Sequence, residues 1–107
     1  MLEVTIESNR HIDQFFRRFA ATEAEVRDNV RHALPEILRH RPHKIKTAYH
    51  LQRNGHPIHE YKIVLKHSIN YRAAFTEIDQ RVTVFFISDT LIKREFVKLL
   101  GHTNLVD

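Results

Sequence analysis

The chain predicts an α+β fold: an N-terminal strand, a two-helix hairpin, an antiparallel three-strand meander and a C-terminal helix. Three observations carry this expectation. From His59 to Phe96, three apolar runs are separated by two short polar breaks, the most strongly patterned stretch of the chain. Tyr61, Ile63 and Leu65 alternate with Lys62, Val64 and Lys66, and Tyr71, Ala73 and Phe75 alternate with Arg72, Ala74 and Thr76, the period of two expected of strands with distinct faces. Upstream the spacing changes to three and four residues, the period of helices packed on one side.

Taken in order, Leu2, Val4 and Ile6 alternate with Glu3, Thr5 and Glu7, which predicts a half-buried strand over Leu2–Ile6. Ser8 or Asn9 can cap a helix whose Ile12, Phe15, Phe16 and Phe19 share one face; large aromatic residues at that spacing belong to a core, not to a ligand. Thr22 and Glu25 form a capping-box pattern, and Val26, Val30, Ala33, Leu34, Ile37 and Leu38 continue as a second amphipathic helix. Pro35 should kink or restart it, and Pro42 should end it. Thr47–Ile58 reads as a loop with a turn at Asn54-Gly55, anchored by Tyr49 and Leu51.

Strands are expected over His59–Lys66, Tyr71–Thr76 and Val82–Ser88. The last of these is almost wholly apolar and β-branched or aromatic, so it should be central and covered on both faces. The tight polar connection Glu77–Gln80 makes its flanking strands antiparallel neighbours. Asp89 or Thr90 should cap a last helix carrying Leu91, Ile92, Phe96, Leu99 and Leu100 and stopped by Gly101, with His102–Asp107 frayed.

With 107 residues, 42% hydrophobic composition, two Gly and three Pro, the chain is expected to form a single domain over residues 1–107. It has no Cys, no apolar run of about 18 residues and no apolar signal-peptide core after Met1, which places the expected protein in the cytoplasm without membrane contact. No glycine-rich phosphate loop, nucleophile elbow or dinucleotide fingerprint is present, so no cofactor is expected. His40/His43 and His56/His59 have metal-like spacing, but Pro42 and Pro57 interrupt them, and no metal is assigned. Seventeen Lys plus Arg against thirteen Asp plus Glu, with nine His, suit a polyanionic partner. The densest basic segment, Arg39, His40, Arg41, His43, Lys44 and Lys46, also matches the preference of cations for a helix C-terminus.

Within the patterned stretch lie Tyr61-Lys62-Ile63-Val64-Leu65-Lys66-His67-Ser68, then Tyr71-Arg72, then Asp79 and the strand Val82-Thr83-Val84-Phe85-Phe86-Ile87-Ser88. These resemble the RelE/ParE toxin superfamily, and RelE-type toxins in particular. Members carry a similar Tyr-Lys-Ile-x-Leu-Arg-Ser strand, a Tyr-Arg pair opening the next strand and an apolar strand after an acidic turn. The resemblance implies a RelE-like fold and the toxin of a type II toxin–antitoxin system, a metal-independent endoribonuclease (mRNA interferase). Its implied partners are mRNA, the ribosome and a cognate antitoxin protein.

Such an enzyme directs the ribose 2′-hydroxyl onto the adjacent phosphate and needs cations around the phosphorane. The resemblance implies catalytic roles for Arg72, which matches the Arg of the Tyr-Arg pair, for Lys66, at a phosphate-binding Arg position, and for Lys93 and Arg94, beside another. Arg39, Arg41, Lys44 and Lys46 resemble the family's RNA-contacting helix end, and Lys62 and His67 join them as RNA-binding candidates. Where the family carries a Tyr after the last Arg, Glu95, Phe96 and Val97 stand here; His50, His59, His67 and His102 are alternatives.

As a phosphate clamp, Arg72 should slow cleavage about 10²- to 10³-fold when removed and leave folding nearly unchanged. Alternatively it pairs with Glu60 or Glu77. The competing function is a non-catalytic or ParE-like module of the same fold, acting on a protein or nucleic acid.

Overall fold

The computed structural model describes residues 2–107. It is an α+β fold built on a five-stranded mixed sheet in the order β1-β5-β4-β3-β2. The strands are β1 (Glu3–Ile6), β2 (Lys46–Arg53), β3 (His56–Val64), β4 (Asn70–Ile78) and β5 (Arg81–Ser88). β1 runs parallel to β5, and the other neighbours are antiparallel. β5 therefore lies between β1 and β4, and Val82, Val84, Phe85, Phe86 and Ile87 are all buried, as their apolar run predicts.

The first helix, α1 (Arg10–Arg18), begins where Asn9 Oδ1 accepts the amide of Ile12 at 2.9 Å. The following helical arm is composite. A 3₁₀ turn (Ala20–Thr22) leads to α2 (Glu23–Asp28), a π turn (Asn29–Ala33) and α3 (Leu34–His40). Pro35 has no amide proton to donate backward, and the arm restarts just before it, where Leu34 N–H reaches the carbonyl of Asn29. The Thr22 capping box does not form. The Thr22 hydroxyl instead donates to the Phe19 carbonyl and shares a 2.9 Å hydrogen bond with the Tyr71 hydroxyl, tying the arm to the sheet.

The main departure from expectation is β2, which occupies most of the segment read as a loop. Its composition is largely polar, but Asn54 and Gly55 adopt φ of 52° and 79°, the two left-handed positions of a tight hairpin, and zip β2 to β3. Asp79 and Gln80, with φ of 50° and 66°, make the same kind of turn between β4 and β5.

Alternation sorts the sheet into two faces. Tyr61, Ile63, Leu65, Tyr71, Ala73, Phe75, Val82 and Val84 pack under the helical arm with Ile12, Phe15, Phe16, Val26, Val30 and Leu34. The opposite face holds Ala48, Ile58, Ala74, Phe85 and Phe86, covered by Phe96, Val97 and Leu100 of α4 (Lys93–Gly101). A bulge in β5 allows two consecutive phenylalanines to face α4: Ala74 pairs with Phe86, but Phe75 pairs with Val84. α4 starts later than expected, with Ile92 at its N-cap and no side-chain cap from Asp89 or Thr90.

The tail is docked, not frayed. Leu105 and Val106 pack on the α4 cluster, Asp107 N–H donates to Gln52 O at 2.8 Å, and the Asp107 carboxylate accepts the amides of Asn54 and Gly55 at 2.6 and 2.8 Å. Among the described residues, no helix is long and apolar enough to cross a membrane.

Candidate functional site

Where α4 leaves the sheet uncovered, polar side chains of β2, β3 and β4 take the place of core residues. Register determines which ones meet. Lys46 lies opposite Glu60, and Glu60 lies opposite Ala74; one step along, Lys62 lies opposite Arg72, and Arg72 opposite Ser88. Directly opposed residues share a face of the sheet, so Lys46, Glu60, Lys62 and Arg72 stand together on the α4 side.

Arg72 is held at two points. Its Nη1 donates to Glu60 Oε1 at 2.7 Å, and its Nε donates to the Leu91 carbonyl at 3.0 Å, in the segment that leads into α4. Nη2 makes no hydrogen bond among the described residues. Glu60 is fully buried, while the Arg72 side chain is 17% exposed. Burial is the largest influence on Glu60 and pushes its carboxyl above the ordinary range, although the charges of Arg72 and Lys93 and the Arg72 hydrogen bond oppose it. Its second oxygen, Oε2, is buried with no hydrogen-bond partner.

Of the two acidic partners that Arg72 could take, the structure selects Glu60. Glu60 is buried, so removing Arg72 is expected to strand a carboxylate and to cost stability, against the expectation of nearly unchanged folding.

Lys93, the first residue of α4, influences Glu60 electrostatically and places its ammonium 4.6 Å from the centroid of the Tyr49 ring. Tyr49, read from the sequence as an anchor of a loop, is instead a strand residue that is 55% exposed. It lies in β2 at an irregularity between Thr47 and Gln52, with φ of 50° and a ring that is largely exposed. No local signal marks a bulge in the middle of a polar strand, since the extra residue is set by pairing with β3.

The basic segment after α3 adjoins this row. Arg41 and Lys44 line a cleft of about 220 Å³ with Lys62, Val64, Tyr61, Asn29, Ala33 and Ile37. Tyr61 itself is core: its hydroxyl donates to Asn29 Oδ1 at 3.0 Å, and burial raises its pKa so that it stays neutral.

The remaining candidates lie apart. Lys66 lines an adjoining cleft of about 530 Å³ with the acidic Glu25 and Asp28, and its backbone amide approaches Glu25 Oε2 at 3.4 Å. His67 is exposed at a left-handed turn with φ of 59°; Arg39 is exposed near the end of α3, and Arg94 is exposed on the first turn of α4. The geometry thus joins Lys46, Lys62, Arg72 and Lys93, with Arg41 and Lys44 at the margin.

No group of three or more His, Asp or Glu among the described residues could hold a metal ion. Four cations around one buried carboxylate form a surface suited to anionic oxygens, with Arg72 supplying a planar donor in a fixed orientation. Comparison with protein-family models, curated proteins and solved structures found no match.

Proposed function

We propose that the chain is a RelE-type toxin, an endoribonuclease that cleaves mRNA on the ribosome without a metal ion and is neutralised by a cognate antitoxin. The observation that carries this reading is the convergence of Lys46, Lys62, Arg72 and Lys93 on one side of the sheet, with Arg72 clamped at 2.7 Å by buried Glu60. The order of strand, helical arm, antiparallel strands and C-terminal helix lends support to this reading, with β2 as a strand beyond those expected.

In the proposed reaction the ribose 2′-oxygen bonds to the adjacent phosphorus, and the 5′-oxygen departs with a proton. This leaves a 2′,3′-cyclic phosphate on one fragment. The transition state places extra negative charge on the phosphoryl oxygens. Preorganised cations stabilise that charge most where water is partly excluded. Glu60 serves as the brace that stops Arg72 from swinging into solvent, and Lys62 and Lys93 lie where neighbouring phosphates can be held.

The test is incubation of purified protein with mRNA, alone and on ribosomes, in the presence of EDTA, with fragment ends mapped. Fragments ending in 2′,3′-cyclic phosphate, lost on Arg72→Lys, are expected. RNA that remains intact under both conditions would exclude the nuclease.

A second reading has its own support. Arg72 spends two of its nitrogens on Glu60 and Leu91, as a structural arginine would. The same basic face would then bind a nucleic acid or protein without cutting it, and salt-sensitive binding with no cleavage is its signature.

A further inference from the structure

We propose that Tyr49 is a base-stacking platform, and that single-stranded RNA lies across the basic row with a nucleobase on the Tyr49 ring. This rests on the reading of that row as an RNA-binding face. Six non-glycine residues among those described have positive φ, and five of them, Asn54, His67, Ser68, Asp79 and Gln80, lie in the turns between strands. Tyr49 is the one inside a strand. A bulky aromatic residue is poorly suited to the left-handed region, and such outliers persist where the surrounding structure imposes them.

The strain is not repaid by burial. Tyr49 is 55% exposed, whereas Tyr61 and Tyr71 are 1% and 3% exposed and hydrogen-bonded through their hydroxyls. Its strand neighbour Ala48 is buried against the α4 cluster, so the bulge re-aims Tyr49 while the rest of β2 keeps its packing.

The contact that Tyr49 does make points to a ligand. The Lys93 ammonium sits 4.6 Å from the ring centroid, so one face of the ring carries a cation and the remaining exposed surface is open. Lys93 also acts electrostatically on Glu60, the brace of Arg72. An aromatic plane bordering a row of cations is the combination with which sequence-tolerant proteins hold single strands: cations follow the phosphates and the ring takes the bases.

The experiment compares two probes on the wild-type chain and on Tyr49→Phe, Tyr49→Ala and Tyr49→Gly: a short 2′-O-methyl oligouridylate, which cannot be cleaved, and an abasic phosphodiester of the same length. The chain has no Trp and its other two tyrosines are buried out of a ligand's reach, so quenching of tyrosine fluorescence by a stacked base reports mainly on Tyr49. The oligouridylate should quench it and the abasic strand should not. Tyr49→Ala and Tyr49→Gly should bind the oligouridylate about 5- to 150-fold more weakly, the range carried by one stacked base, with abasic binding unchanged and Tyr49→Phe equal to wild type.

Glycine accepts positive φ without steric penalty, and relief of that strain offsets its larger unfolded-state entropy, so Tyr49→Gly should stay folded and remain testable if Tyr49→Ala does not fold. Full oligouridylate affinity in Tyr49→Gly would overturn the platform while leaving the basic face intact. Failure of both probes to bind wild type would overturn the basic face and the platform together. Failure of Tyr49→Gly to fold would make the ring a structural element and likewise refute the assignment.

Discussion

Replacing Arg72 with Ala should destabilise the fold by about 3 kcal/mol at neutral pH. Deleting one member of a buried ion pair typically costs about 3–5 kcal/mol, because the survivor keeps its desolvation penalty without its partner. Glu60 meets that condition, being fully buried with Oε2 already unpartnered. Arg72 is partly exposed at 17%, and Lys93 remains near Glu60, which sets the expectation at the lower end of the range.

The pH dependence identifies the cause. The folded pKa of Glu60 lies above its ordinary value of 4.5, so its burial penalty is absent below that value, grows as pH rises, and is complete above the folded pKa. Without Arg72 the folded pKa rises further. The cost of Arg72→Ala measured by urea unfolding should therefore be largest near neutrality and shrink as pH falls to about 4. Glu60→Gln in the same background should recover most of the loss, because a neutral amide leaves no stranded charge. A cost under about 1 kcal/mol at neutral pH, the size of an exposed pair, would refute the buried-charge account. So would a cost that is the same at both pH values.

Three further outcomes follow from other parts of the molecule. RNA affinity of the wild-type chain should fall as salt rises, and Lys62→Ala should reduce the slope of log affinity against log salt by about 0.7, the contribution of one phosphate on a single strand; an unchanged slope in filter binding would remove Lys62 from the interface. Burial alone would raise Glu7, but hydrogen bonds from Arg53 and Asn9 outweigh it and hold the carboxyl below 4.5. Stability from Glu7 is thus present above that value and lost as pH falls through the folded pKa, and Arg53→Ala should move the loss to higher pH in acid unfolding curves. Asp107→Ala removes the acceptor for the Asn54 and Gly55 amides and should speed hydrogen exchange at the β2–β3 turn, with stability reduced by about 1 kcal/mol; unchanged exchange there would mean the tail does not hold the hairpin.

The amino-acid sequence by itself determined the elements whose signal is local. Alternation in Tyr61–Leu65 and Tyr71–Phe75 set both the strands and their faces, the apolar run Val82–Ile87 required burial on both sides, and Ser8 or Asn9 marked the start of α1, where the structure uses Asn9. Pro35 likewise announced the restart of the helical arm, because a missing amide acts wherever the chain goes.

The row of cations was legible only in part. Lys62 and Arg72 could be assigned to the same face of adjacent strands, but choosing Glu60 over Glu77 as the Arg72 partner required the strand register. Only the tertiary structure made β2 a strand, since its polar residues gain order by pairing with β3 and from the docked Asp107, not from any periodicity of their own. It also separated Lys66 from Arg72, by turning the chain after β3 toward the acidic side of α2. Tyr49 depended on it entirely: its left-handed backbone and its place beside Lys93 come from a bulge that exists only when β2 is paired across the sheet, a long-range constraint that leaves no mark on the residues beside it.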